Sequence, residues 1–178
     1  MMEILPIEII KDIISNFSCK IDKDIEIFLK EKALLFQEKN KAKIYFILNE
    51  SSIREYKFDI LGYFALSTKI LHLPEELSKS QRKKIDGLYN SISETPTFLI
   101  RQIGKNDKNK NNISGKDIIN YAQQYLKSVS NMIGGRIILV ELKNNQKLIN
   151  FYTDNGFSLL DNNTKNEENL LQMIKIII

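Results

Sequence analysis

The sequence predicts an α/β fold built on a mixed sheet, and three observations carry that prediction. From residue 97 onward, a strand-like run, a polar loop, a long helical period, a second strand, a short helix and closing apolar runs succeed one another. Before them, "KIYFILN" (43–49) and "ILGYFALST" (60–68) are aromatic and β-branched runs separated by polar residues, the pattern of an antiparallel pair. The composition, 43% hydrophobic and 27% charged over 178 residues, suits a compact domain able to bury a real core. No internal repeat or boundary interrupts the chain, so residues 1–178 are expected to form a single domain.

The opening "MMEILPIEIIKDIIS" carries acids at Glu3, Glu8 and Asp12 and no basic leader, so it does not read as a signal peptide. No apolar run approaches the ~20 residues that cross a bilayer, and a cytoplasmic protein without a membrane partner is expected. In "DKDIEIFLKEKALLFQEK" (22–39), Ile25, Phe28, Leu29, Leu35 and Phe36 fall on one helical face, with Asp22 as cap and Asp24 and Glu26 in the first turn. Residues 75–88, after Pro74, read as a helix with a basic surface, and "TFLIRQI" (97–103) as a strand. "GKNDKNKNN" (104–112) and "DNNTKNEEN" (161–169) look like loose connections.

After Ser114-Gly115, apolar residues recur at Ile118, Ala122, Tyr125, Leu126, Val129 and Ile133, a helix of about five turns stopped by Gly134-Gly135. "RIILVEL" (136–142) is a strand, and "NNQKLINFYTDNGF" (144–157) holds a short helix ended by Gly156. "FSLLD" (157–161) and "LLQMIKIII" (170–178) are closing strands. The last is apolar to its end and needs cover on both faces, within the sheet or across a dimer, so a monomer or a homodimer is expected.

The single cysteine, Cys19, excludes an internal disulfide and a Cys-rich metal site. One histidine, His72, argues against a His-based metal centre or a Ser-His-Asp triad, so no metal is expected. Net charge is +4, a mild bias towards anionic partners, and "KSQRKK" (79–84) is either a phosphate-contacting run or a solvated helix face. A short helix needs one large aromatic on its buried face, yet Phe151 and Tyr152 are adjacent. Tyr152 is either an amphipathic packing residue or a phenol with chemistry to perform.

The order of elements and these residues resemble the GNAT superfamily of acetyl-coenzyme A-dependent N-acetyltransferases, over roughly residues 15–178 and most sharply over 97–157. The resemblance rests on Asn145, Leu148, Phe151, Tyr152 and Gly156-Phe157. It implies a mostly antiparallel mixed sheet flanked by helices, with a coenzyme A cleft between splayed central strands. It also implies a packing role for Phe151, and for Tyr152 the role of general acid to the departing thiolate, which suits a phenol of pKa ~10.

The resemblance further implies that Ile103, Gly104 and Lys105 lie along the pantetheine arm, and that Asn112, Ile113, Ser114, Gly115 and Lys116 hold the pyrophosphate at a helix N-terminus, with Asn145 also in the cofactor set. Ser114 could instead cap the helix, and Lys105, Lys108, Lys110 and Lys116 surround the loop. The family's Q/R-x-x-G-x-G/A run is absent. Only Gly115 remains, with Asn111, Asn112 and Ile113 near the other glycine positions. No general base stands out; Glu141, Glu94 and Asp59 are candidates that otherwise read as solvent-facing charges.

Phe17, "FLKEKA", the Tyr45 strand and "GYFALS" resemble the toxin-type GNAT group of toxin–antitoxin pairs, which acetylate the amino group of aminoacyl-tRNA. Acetyl-CoA as acyl donor, an amine acceptor such as aminoacyl-tRNA, and an antitoxin protein are the partners this implies. A protein or small-molecule acetyltransferase, and a binding module with a degenerate coenzyme A loop, are the alternatives.

Overall fold

The computed structural model describes residues 6–54, 57–109, 112–160 and 169–177. In chain order its elements are α1 (Ile7–Ser15), α2 (Lys23–Ile27), a π-helical turn (Phe28–Lys32), α3 (Ala33–Glu38), β1 (Lys43–Leu48), α4 (Glu50–Arg54) and β2 (Ile60–His72). Next come α5 (Lys79–Asp86), β3 (Glu94–Lys105), a 3-10 turn (Asp107–Asn109), α6 (Gly115–Ile133), β4 (Ile137–Leu142), α7 (Gln146–Asp154), β5 (Ser158–Leu159) and β6 (Leu171–Ile176). The strands form one six-stranded sheet in the order β1-β2-β3-β4-β6-β5. β1 with β2, β4 with β6 and β5 with β6 are antiparallel, and β3 with β4 is parallel, so the sheet is mixed and mostly antiparallel as the sequence predicts. No helix among the described residues is long and apolar enough to cross a membrane.

The chain clusters into two compact units. One comprises Met1–Ser67 and Arg101–Ala122, the other Thr68–Ile100 and Gln123–Ile178. The core of the first gathers Ile10, Ile13 and Ile14 of α1, Phe17, Phe28, Leu29, Ala33, Ile44 and Tyr63. Tyr63 is its centre: fully buried, its hydroxyl donates to the carbonyl of Ile25 at 2.7 Å, and its ring meets Phe17 edge to face at 5.4 Å. Burial, with the nearby Cys19 and Asp22, holds the phenol far above its ordinary pKa.

Two glycines make room for this packing. A Cβ on Gly104 would stand 2.3 Å from Cε1 of Tyr63, and one on Gly62 would stand 2.6 Å from Cδ1 of Ile118 and 2.9 Å from the carbonyl oxygen of Gly104. Helix α1 adds to the elements the sequence predicts. Its isoleucines are buried at 10, 13 and 14 but Ile7 and Ile9 are exposed, so the apolar stripe is blurred.

The 22–39 helix forms with Asp22 as cap, its side chain accepting from the N–H of Asp24 at 3.0 Å. Of the predicted face, Phe28 and Leu29 are buried, Ile25 and Phe36 are partly buried against the same core, and Leu35 alone leaves it. The π-turn lets the Ala33 N–H reach the carbonyl of Phe28, five residues back, and the extra residue rotates α3 by about 100° relative to α2. Ala33 is buried and Leu35, expected on the buried face, is 53% exposed. Glu26 ties the start of this helix down. It accepts from the Cys19 N–H at 2.9 Å and pairs with Lys30 and Lys23 at 2.9 and 3.0 Å, and these bonds hold its pKa at about 2.

The second unit packs Leu71, Leu73, Ile85, Leu99, Ile137, Leu139, Leu160 and Ile174. Helix α5 is shorter than the predicted 75–88, because Ser78 and Gln81 form a reciprocal capping box that starts it at Lys79. Helix α6 ends at Gly134-Gly135, both at positive φ, as expected. Its buried stripe is narrower than predicted: Ile118, Ile119, Ala122 and Leu126 are buried, while Tyr125 and Ile133 are 42% and 75% exposed. "FSLLD" contributes only the two-residue β5, and the apolar β6 lies between β4 and β5 inside the sheet. Most of 161–169 lies outside the described residues.

Two consequences are testable. Gly104→Ala should lower stability by about 2 kcal/mol, the range for overpacking a core, in denaturant unfolding; an unchanged midpoint would mean the Tyr63 ring can give way. Glu26→Gln should cost about 1 kcal/mol at neutral pH. Because the folded pKa of Glu26, about 2, lies below its ordinary 4.5, its contribution is complete above pH 4.5 and fades as pH falls towards 2. Wild type and Glu26→Gln should therefore converge in melting temperature over that window, and a gap that persists at pH 2 would contradict the assignment.

Candidate functional site

Helix α7 (Gln146–Asp154) carries the aromatic pair. Asn145 starts it, its side-chain oxygen accepting from the Lys147 N–H at 2.9 Å and its carbonyl from the Ile149 N–H at 3.0 Å. The Asn145 side-chain oxygen is thus committed to the cap. No residue of α7 is fully buried. Phe151 and Tyr152 are both partly buried, and the fully packed aromatic is Phe157, just past the helix, at 3% exposure. The Tyr152 ring meets Phe151 and Phe157 edge to face, at 5.1 and 5.5 Å between centroids.

The Tyr152 hydroxyl has no hydrogen-bond partner among the described residues, and loss of solvent alone pushes its pKa up to about 12. A phenol so placed stays protonated and keeps its one donor unspent. Tyr63, the other desolvated phenol, differs in this respect because the Ile25 carbonyl accepts its hydrogen bond.

The first unit holds the remaining predicted contacts. Gly104 lies against the Tyr63 ring, which leaves no room for a side chain there. Ile103 and Lys105 are partly buried on β3. The 104–112 stretch is not loose where it is described. Asn106, 3% exposed, donates to the Ile60 carbonyl at 2.8 Å and accepts from the Ser18 N–H at 3.2 Å. Asp107 accepts from the Lys20 N–H at 2.5 Å. Lys110 and Asn111 lie outside the described residues.

Asn112 is exposed and Ile113 buried, so Ile113 can offer a ligand only its backbone. Ser114 caps α6: its hydroxyl accepts from the Asp117 N–H at 3.1 Å, while Asp117 accepts from the Ser114 hydroxyl at 2.6 Å and its N–H at 2.8 Å. Those bonds hold the Asp117 carboxyl below its ordinary pKa. The N–H groups of Gly115 and Lys116 have no acceptor among the described residues, as is usual in the first turn of a helix.

Two charges differ from their sequence reading. Glu141 is not a solvent-facing carboxylate: its side chain is 11% exposed, and it takes Lys69 at 2.8 Å and the Gln172 amide at 2.9 Å. Arg82 of the basic run donates to the carbonyls of Leu77, Ile92, Pro74 and Glu75, at 2.6 to 3.2 Å, and so ties the 74–92 segment together. Lys79, Lys83 and Lys84 remain exposed. Glu94 is exposed and lies 3.2 Å from His72, and Asp59 is exposed. Cys19 is buried and its thiol pushed up, which disfavours a thiolate nucleophile. Among the described residues no group of His, Cys, Asp and Glu is placed to hold a metal ion.

No family model and no curated protein matches this sequence. Solved structures do. AtaT complexed with acetyl-methionyl-tRNAfMet superposes with a TM-score of 0.68 at 21% identity, over 89% of this chain and 85% of that one. A tyrosine-to-phenylalanine mutant of KacT gives 0.67 at 22% identity, over 89% and 85%. A mutant AtaT toxin bound to the C-terminus of the antitoxin AtaR and acetyl-CoA gives 0.63 at 17% identity, over 88% and 81%.

The chain has the GNAT fold. The GNAT fold accounts for the strand order and for one short helix, α7, between β4 and β5. It does not determine which side chains carry chemistry.

The phenol gives a direct measurement. Comparing alkaline spectrophotometric titrations of wild type and Tyr152→Phe should show equal tyrosinate absorbance up to about pH 10.5, since the missing tyrosine ionises only near 12. A wild-type excess already at pH 10 would mean that Tyr152 is solvated.

Proposed function

We propose that this protein is an acetyl-CoA-dependent N-acetyltransferase that acetylates a primary amine, with Tyr152 as its general acid. The observation that carries the reading is the Tyr152 hydroxyl, desolvated, protonated and without a partner among the described residues. Acetyl-CoA, as acyl donor, supplies an activated thioester carbonyl. The amine attacks that carbon, the C–N bond forms and the C–S bond breaks, and Tyr152 gives its proton to the departing sulfur. Desolvation makes the phenol a weaker acid, but the same loss of water makes a buried thiolate a stronger base, so the pair stays matched.

The proton released by the amine goes to water. Glu141, one of the sequence candidates for a base, is engaged by Lys69 and Gln172. The open N–H groups of Gly115 and Lys116 are the donors proposed for the pyrophosphate, with Lys116 beside them.

Support for aminoacyl-tRNA as the acceptor comes from the fold shared with AtaT, whose complex contains acetyl-methionyl-tRNAfMet. The same likeness supports an antitoxin protein as partner and a cytoplasmic toxin of a toxin–antitoxin pair as the biological role. One observation favours a second reading, a binding module that has lost coenzyme A. Asp117 places a carboxylate on Ser114, at the α6 N-terminus where the diphosphate would sit. Titrating acetyl-CoA by calorimetry separates the two, since a binding module of that kind gives no heat at millimolar ligand.

The decisive assay offers labelled acetyl-CoA with aminoacylated total tRNA, protein lysate and small amines, and reads which pool is labelled. Label in tRNA alone is expected. Tyr152→Phe should slow transfer ~100-fold or more while leaving acetyl-CoA affinity and melting temperature nearly unchanged. The wild-type rate should rise as the amine deprotonates and show no decline below about pH 10, because Tyr152 keeps its proton there. Unchanged turnover in Tyr152→Phe ends the catalytic assignment.

A further inference from the structure

Helix α7 buries no residue completely, and Tyr152 has no hydrogen bond to aim its hydroxyl, so something else must hold the turn that carries it. That turn, Tyr152 to Phe157, is gripped from β6 and from α6. The Lys175 ammonium donates to the Asn155 carbonyl at 3.0 Å and to Oε1 of Gln123 at 2.6 Å, and Nε2 of Gln123 donates to the same Asn155 carbonyl at 3.3 Å. Asn155 in turn donates from its side chain to the Phe151 carbonyl at 2.7 Å. Lys175 Nζ also lies 6.0 Å from the ring centroid of Phe157, whose ring meets Tyr152 and whose N–H donates to the Tyr152 carbonyl at 3.0 Å.

We infer that Lys175, with Gln123, is a positioning residue for Tyr152, fixing the C-terminal turn of α7 and thereby where the phenol points. The inference rests on Tyr152 being the general acid. A cation at this end of a helix is favoured by the carbonyl pole of its dipole. Lys175 is only partly exposed, and burial lowers its pKa, so its charge is held there against a desolvation cost that a neutral side chain would avoid. A Cβ on Gly156 would stand 3.1 Å from Nζ, which shows how closely the ammonium sits on the turn. Displacing a reacting group by ~1 Å can cost two orders of magnitude in rate. An acid with no partner of its own depends on such a clamp more than a hydrogen-bonded one would.

The test is a kinetic cycle on the full chain with acetyl-CoA and aminoacylated tRNA. Lys175→Met should lower kcat ~10-fold while the calorimetric Kd for acetyl-CoA stays within ~2-fold, and Lys175→Arg should recover most of the loss. In a Tyr152→Phe background, adding Lys175→Met should change the rate by less than ~2-fold, because there is no longer an acid to misplace. Equal slowing in both backgrounds, or no slowing in the wild type, overturns the inference while leaving Tyr152 in its role. Should Lys175→Met not fold, Gln123→Leu removes the clamp from the α6 side and is read against the same two outcomes. If Tyr152→Phe turns over as fast as wild type, the catalytic assignment fails, and this inference falls with it.

Discussion

A fully buried tyrosine must find an acceptor, and Tyr63 finds the carbonyl of Ile25. An unsatisfied hydroxyl there would cost about 1–3 kcal/mol, so the start of the 22–39 helix is held at a fixed height over β2. That placement demands bare backbone opposite the ring at Gly104, and a second bare position at Gly62 where β2 passes the Gly104 carbonyl and Ile118. Phe17 closes the remaining edge of the ring. One hydrogen bond therefore accounts for two glycines, an aromatic pair and the seating of a helix. Beyond it, the π-turn Phe28–Lys32 shifts the buried positions onto Ala33.

Charged side chains serve this protein largely as internal fasteners. Arg82 gathers four carbonyls of the 74–92 segment, and Glu141 joins Lys69 on β2 to Gln172 on β6. Glu26 closes the chain around Cys19. A charge-assisted hydrogen bond to the backbone is about twice as strong as a neutral one, which suits segments with few apolar residues of their own.

Tyr152 and the α6 N-terminus stand out against that economy of contacts. Nearly every buried polar group finds a partner, with the Ser67 hydroxyl the only buried side-chain exception among the described residues. The Tyr152 phenol, on a side chain only partly buried, is a further donor without a partner among the described residues. At α6 the position is mixed: Ser114 and Asp117 satisfy each other and leave Gly115 and Lys116 open. The aromatic contacts of Tyr152 hold its ring, while Lys175 and Gln123 hold the turn beneath it.

Periodicity and punctuation by themselves determined the strands β1 to β4, the helix 115–133 and its Gly134-Gly135 stop, the cap Asp22 and, as one of two readings, the cap Ser114. Each depends on residues within a few positions of one another, so it is written locally. The aromatic pair also marked α7 as the helix with a side chain to spare. Only the tertiary structure decided which of those side chains were spoken for. Asn106 reaches Ile60 and Ser18, Glu141 reaches Lys69, and Lys175 reaches Gln123, partners separated by tens of residues that no local pattern encodes. Gly104 is required by the Tyr63 ring, a group about forty residues away that no local pattern names. Whether a donor is free is a property of everything folded around it, so the sequence could nominate Tyr152 and only the fold could leave its hydroxyl unpartnered.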